Sequence, residues 1–87
     1  MENTITPEKI EKYHEITEKA LNVAKKNIAK GKEKEASEII KMVSCYLQDS
    51  EYFEKKEDYI NSFAAINYAH GWLDAGARLK IFLVKDR

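Results

Sequence analysis

Cysteine, proline and glycine are scarce in this sequence, whose 87 residues include one Cys, one Pro and three Gly. The lone Cys45 excludes an intrachain disulfide and a zinc site built from several cysteines, because each needs a second thiol. A single Pro leaves the remainder of the chain free to form long helices. With one thiol and no recognisable signal peptide, we expect a reducing, cytoplasmic setting.

An excess of charge of either sign is also missing. Lys and Arg total 15, as do Asp and Glu, so the formal net charge is zero. No overall field then steers the chain toward nucleic acid or a membrane surface. No apolar run approaches the ~20 residues that a membrane helix needs. The composition, 44% hydrophobic and 34% charged, is typical of a single helix-rich domain spanning residues 1–87.

Two amphipathic patterns fill the first two thirds of the chain. The Thr-Pro-Glu sequence at residues 6–8 combines a capping hydroxyl, a proline suited to the first helical position and an acid near the positive helix end. Apolar residues at spacings of three and four follow, until Gly31 offers a stop. A second pattern of the same kind comes after a tight turn. Antiparallel helices are therefore predicted at about residues 7–30 and 33–55.

The stretch 58–82 is the apolar centre of the chain. Asp58 is a suitable N-cap, and a third helix is predicted over about residues 59–81. On ideal geometry, a valley of small side chains separates two flanks of larger ones. The valley contains Ser62, Ala65, Ala69 and Gly76, one flank contains Tyr59, Ile66, Leu73 and Ala77, and the other contains Tyr68, Trp72, Ala75 and Leu79.

This arrangement predicts that the third helix packs between two neighbours, which gives an all-α, antiparallel three-helix bundle. Gly71 and Gly76 each cost about 1 kcal/mol of helix propensity relative to Ala. We therefore expect another backbone or a ligand to approach the helix closely at these two positions.

Residues 49–82 also carry a family pattern. Its first part, Asp-Ser-x-Tyr-Phe, is matched by Asp49, Ser50, Tyr52 and Phe53. Its last part, Ala-Phe-x-Ala-x-x-Tyr-Ala-x-Gly-x-Leu-Asp-Ala-Gly, is matched by Phe63, Ala65, Tyr68, Ala69, Gly71, Leu73, Asp74, Ala75 and Gly76. In these motifs the chain resembles a family of short archaeal proteins catalogued as domain of unknown function 357. The resemblance implies a small all-helical protein and no particular activity.

The chain departs from that pattern in the turn before the third helix, where Glu57 replaces a glycine. If the position requires a positive φ angle, Glu57 is strained by about 1 kcal/mol. Otherwise the turn is built differently in this protein.

A narrow polar face of the third helix is the first candidate site. Asn67, Asp74 and Arg78 lie within about 40° of one another, with His70 at the margin. Asp74 and Arg78 are spaced i,i+4 and can form an ion pair. The plainer interpretation is a solvated stripe on a core helix. The functional interpretation is a contact surface for a partner, to which Trp72 contributes.

A pocket near Asp49, Tyr68, His70 and Asp74 is an alternative site, for a small molecule or a reaction. No nucleophile–base pair is visible there, so no catalytic residue is predicted.

Metal and RNA binding are weaker alternatives. His14 and Glu18 have the spacing of a chelating pair, as do His70 and Asp74, but such pairs are frequent on charged helices. We therefore predict no metal and no other cofactor.

The lysines within Lys25–Lys34 form a basic patch, which is the feature that would bind RNA. Glutamates dilute the positive charge of this patch, and no aromatic residue interleaves with it. Nucleic acid is therefore not the expected partner.

The function predicted from these patterns is a non-enzymatic protein-interaction module. The aromatic side chains of Tyr46, Tyr52, Tyr59, Phe63 and Trp72 offer more area than a bundle of this size readily hides. Self-association through the third helix, with a twofold homodimer as the default, is the expected use.

Overall fold

The helices begin where the capping residues predict. In the computed structural model, which describes residues 4–85, the helices are α1 (Pro7–Lys25), α2 (Glu33–Lys55) and α3 (Tyr59–Arg78). The Thr6 hydroxyl accepts from the Lys9 amide at 3.2 Å, and the Asp58 carboxylate accepts from the Asn61 amide at 3.2 Å. Residues 1–3, 86 and 87 of the predicted domain lie outside the described residues.

The three helices pack together as the predicted all-α three-helix bundle. The contact between α2 and α3 is the most extensive, and α1 lies against both. The largest cluster of buried core residues consists of Leu21, Ala24, Ala36, Ile39, Val43, Leu47, Ala69, Leu73, Ile81 and Phe82. The predicted valley of α3 is buried along its length, from Ser62 to Gly76. Among residues 4–85, no helix combines the length and apolar character required to cross a bilayer.

The predicted end of α1 at residue 30 is wrong, because the helix ends at Lys25. Residue Ile28 instead forms an isolated antiparallel bridge with Phe82. The Ala29 amide donates to the Ile81 carbonyl at 2.9 Å, and the Leu83 amide donates to the Asn27 carbonyl at 2.7 Å. The backbone after α1 thus finds partners at the far end of the chain, which local periodicity does not reveal.

The helix α3 also ends early, at Arg78 rather than at residue 81. Lys80 has a φ angle of 59°, and the Ile81 amide donates to the Gly76 carbonyl at 2.9 Å, which is a helix-terminating motif. The chain therefore leaves the helix before Ile81 and Phe82, both of which are buried. Their apolar character reflects a segment folded back onto the core and not another helical turn.

Gly76 makes this return possible. A Cβ atom at Gly76 would lie 2.6 Å from two ring carbons of Phe82 and 3.2 Å from the Ile39 side chain. Gly71 differs, since a Cβ there would meet nothing within 4 Å. The close approach predicted for both glycines is therefore present inside the protein at Gly76 alone.

The turn between α2 and α3 requires the positive φ angle that a glycine would supply. Glu57 has a φ angle of 59°. The Asp58 amide donates to the Phe53 carbonyl at 2.9 Å, and the Glu57 amide donates to the Glu54 carbonyl at 2.9 Å. This is the helix-ending arrangement in which glycine is favoured. The turn is therefore strained at Glu57, as one of the two sequence-based alternatives predicted.

A pair of buried serines joins α2 to α3. The Ser62 hydroxyl donates to the Ser50 carbonyl at 2.8 Å, and the two hydroxyl oxygens lie 3.0 Å apart. Because the Ser62 proton is engaged, the Ser50 hydroxyl donates to Ser62. Ser50 does not interrupt α2, which continues to Lys55.

Replacing each helical glycine by alanine should have opposite effects on stability. Gly76→Ala should lower the free energy of unfolding by about 1–3 kcal/mol, because the new methyl group overlaps the Phe82 ring. Gly71→Ala should raise it by up to about 1 kcal/mol, because the site is open and Ala favours the helix. Urea unfolding at low protein concentration measures both, and equal effects would contradict the packing described here.

Introducing glycine at the strained turn should stabilise the protein. Glu57→Gly should raise the free energy of unfolding by about 1 kcal/mol, because glycine adopts a positive φ angle without steric cost. Lys55→Gly is the matched control. Its backbone is helical, so the same residue type should destabilise by about 1 kcal/mol there. A loss of stability in Glu57→Gly would refute the strain at this turn.

Candidate functional site

The outer face of α3 is largely uncovered by the other described residues. Ile60, Tyr68 and Leu79 are 73%, 62% and 69% exposed, and the only Trp, Trp72, is 39% exposed. These side chains lie outside the buried valley of α3. Large apolar side chains in solvent along a whole helix mark a contact surface more often than scattered single ones do.

An open groove follows the middle of this face. It has a volume of ≈480 Å³ and is lined by Ala64, Asn67, Tyr68, Gly71, Trp72 and Ala75. None of these side chains carries a charge. The floor is low at Gly71, where a Cβ atom would meet nothing within 4 Å. We call this groove, together with Ile60 and Leu79 at its two ends, the α3 outer face.

One wall of the groove is held in place by aromatic stacking. The Tyr68 ring stacks on the Tyr46 ring of α2, with ring centroids 5.3 Å apart and planes inclined by 17°. Tyr68 is therefore supported from behind while its outer surface stays exposed. A preordered aromatic wall loses little side-chain entropy when another surface binds it.

The second flank of α3 is less covered than the packing between two neighbours predicts. Tyr68, Trp72, Ala75 and Leu79 were expected to contact a neighbouring helix, and all four are exposed. The described part of the chain measures only 15 Å along its shortest axis. The two neighbours of α3 cover the valley and the first flank, and on the second flank the Tyr46 ring of α2 stacks on one side of Tyr68.

The predicted polar stripe of α3 is divided between two surfaces. Trp72 lines the outer face, and Asn67 lines both this groove and a smaller one beside α1. His70 and Asp74 line only the smaller of these two grooves. Arg78 is exposed near the end of α3. Because Asn67 and Gly71 line both grooves, the two surfaces adjoin.

The smaller groove, between α1 and α3, contains a polar chain of three residues. Its volume is ≈210 Å³. The Thr17 hydroxyl lies 3.1 Å from His70 Nδ1, and His70 Nε2 lies 3.7 Å from an Asp74 carboxylate oxygen. The Thr17 hydroxyl and Nδ1 share one hydrogen bond, whose direction depends on the tautomer of His70.

This order of groups resembles a nucleophile, a base and an orienting acid, but the nucleophile position is closed. Thr17 is only 1% exposed, so very little of its surface is open to the groove that it lines. The geometry joins α1 to α3 and orients His70. Sequence reasoning missed Thr17, although a polar residue in register with Ile10, Leu21 and Ala24 on the buried face of α1 was a usable signal.

The alternative pocket is not assembled as predicted. His70 and Asp74 lie together in the smaller groove, whereas Tyr68 lines the α3 outer face. Asp49 is exposed on α2 and lines neither groove. The structure thus brings together two of the four residues.

The two histidine–acid pairs also lie apart, at different helix contacts. His14 Nδ1 is 3.5 Å from Glu18 on α1, and His14 Nε2 is 3.7 Å from Glu51 on α2. Each ring nitrogen thus faces a different carboxylate, which does not suit one shared ion. Within residues 4–85, no group of three or more His, Cys, Asp or Glu side chains is arranged to hold a metal ion.

The family model described as a protein of unknown function (DUF357) matches residues 12–82. The chain belongs to this family. The match spans most of α1, all of α2 and α3, and the returning segment as far as Phe82, so the DUF357 domain includes nearly the whole core. No curated protein and no solved structure matches the chain.

Removing the Thr17 hydroxyl should reveal how strongly the polar chain joins α1 to α3 in this DUF357 protein. Thr17→Val keeps the side-chain shape but removes the hydroxyl that is hydrogen-bonded to His70 Nδ1, so the free energy of unfolding should fall by about 1–3 kcal/mol. A double-mutant cycle with His70→Phe measures the coupling. Additive effects of the two changes would show that the bond contributes nothing.

Proposed function

We propose that this protein is a non-enzymatic helical interaction module that self-associates through the α3 outer face. The observation that carries the proposal is the uncharged groove on a fully formed helix, lined by Tyr68 and Trp72. Interface centres are depleted in charge and enriched in Tyr and Trp. The cytoplasmic setting expected from the single cysteine belongs to the same proposal.

The chemistry of the groove favours binding over catalysis. Its lining holds no Asp, Glu, His, Lys or Cys, which are the residue types that usually supply acids, bases or nucleophiles. It is open and elongated, which suits a helix better than a small molecule. Apolar surface buried there would supply the binding energy.

The size of the face indicates a weak or moderate dimer. α3 has 20 residues and is therefore about 30 Å long. A contact between two single helices lies toward the small end of specific interfaces. We therefore expect dissociation constants in the micromolar range.

A small-molecule site is the second candidate, and one observation favours it. The side chain of His70 is only 13% exposed and is held by Thr17 while it borders the groove beside α1. A fragment bound there should shift the amide resonances of Asn67 and His70, and Asp74→Asn should weaken the shifts. The lysines within Lys25–Lys34 gain no comparable support, so RNA binding is not proposed.

Self-association should be visible as a mass that depends on concentration. Sedimentation equilibrium across the micromolar range should show a rise from 10.1 kDa toward twice that mass. Ala75→Glu places a charge at the centre of the outer face and should keep the chain monomeric. Dilution should also shift Trp72 emission to longer wavelength, because Trp72 is the only Trp and lines the groove.

The matched control for this experiment is Ser37→Glu, which adds the same charge at an exposed position of α2. It should associate like the natural sequence. A constant mass of one chain throughout the range would contradict self-association.

A further inference from the structure

The spacing of side chains along the α3 outer face is the same in both directions. The face consists of Ile60, Ala64, Tyr68, Gly71, Ala75 and Leu79, flanked by Asn67 and Trp72. Counted from either end, the intervals between the six central residues are four, four, three, four and four. The midpoint falls between Ala69 and His70. A twofold axis at this level would lay the face on a reversed copy of itself.

Such a reversed copy matches large side chains with small ones. Tyr68 of one chain meets Gly71 of the other, and Ala64 meets Ala75. Gly71 has open space where a side chain would be, so the ring has a place to lie. A parallel copy in the same register would set Tyr68 against Tyr68 and leave a void between the two glycines, which packs poorly.

At 100° per residue, the Ala64 and Ala75 pair also points in one direction. These two residues lie within about 20° of each other on the helix circumference, near the middle of the face. Tyr68 and Gly71 lie on either side of this centre line, about 60° apart, and Ile60 and Leu79 lie at the two margins. Ala64 and Ala75 are therefore matched around the helix as well as along it, and small residues on the centre line permit close approach of the two helices.

Charges at the two ends of α3 favour the same orientation. Glu57 and Asp58 immediately precede the helix, after Lys55 and Lys56, and Lys80 follows it. An antiparallel copy places Glu57 and Asp58 of one chain beside Lys80 of the other, and the two helix dipoles then oppose each other favourably. A parallel copy would place like charges together.

We infer that the α3 outer face is occupied by a second copy of this chain, lying antiparallel about a twofold axis between Ala69 and His70. The inference rests on the proposed self-association and adds its orientation and register. Tyr68 of each chain lies over Gly71 of the other, and Ala64 lies against Ala75. The contact is isologous, so it closes as a dimer and leaves no free copy of the face.

Cysteine cross-linking tests this register directly. In a Cys45→Ser background, Ala64→Cys and Ala75→Cys proteins are oxidised separately and as a mixture. The mixture should form covalent dimers at least about tenfold faster than either protein alone, because only unlike positions meet. Glu15→Cys, exposed on α1, is the control and should react slowly in every combination.

The other outcomes separate the two proposals. Faster reaction of each protein with itself would show a parallel dimer and overturn the orientation while leaving self-association intact. Equal rates in the mixture and in the control would overturn the register. If sedimentation of the unmodified chain shows only monomer, self-association itself fails, and the register fails with it.

Charge exchange provides a second test that needs no new thiol. Glu57→Lys and Lys80→Glu should each weaken the dimer by about two- to fivefold, because each creates like charges at both ends of the contact. The double variant should recover the original affinity, since the opposite charges meet again in exchanged positions. A double variant weaker than both single variants would refute the antiparallel arrangement.

Discussion

The packing of the Phe82 ring against Gly76 is the contact on which the rest of this fold depends. The ring occupies the space that any other residue type would fill with its Cβ atom. Because the chain can turn back there, the segment after α3 reaches the connection after α1 and exchanges backbone hydrogen bonds with it. One glycine thus allows the last part of the chain to close the end of the bundle at which α1 and α3 finish.

This closure determines which surfaces are left over. The returning segment fills the core between the helices, so Ile81 and Phe82 supply burial that a longer α1 and α3 would not. It does not extend over the Tyr68 and Trp72 side of α3, which therefore stays in contact with solvent. The protein thus has a well-buried core, whereas large apolar side chains of α3 remain exposed.

The sequence predicts the local features of this structure well. Thr6 and Asp58 mark two helix starts, the small residues of α3 mark its buried side, and the family pattern gives a positive φ angle at Glu57 as one of two alternatives. These features depend on neighbours within a few residues. The bridge between Ile28 and Phe82 and the bond between Thr17 and His70 join residues 54 and 53 positions apart, and no periodicity reveals them. A helical wheel also gives the direction of Tyr68 and Trp72 without showing whether a neighbour reaches them.

The serine pair between α2 and α3 has a consequence for how these two helices can slide. Two amphipathic helices of this length could in principle pack after a shift of one turn, about 5.4 Å, with only a modest change in apolar burial. Such a shift would separate Ser50 from Ser62 and strand two hydroxyl groups in the core, at about 1–3 kcal/mol each. The serine pair therefore fixes the position of α3 along α2. It thereby also fixes the level along the bundle at which Tyr68 and Gly71 face the solvent.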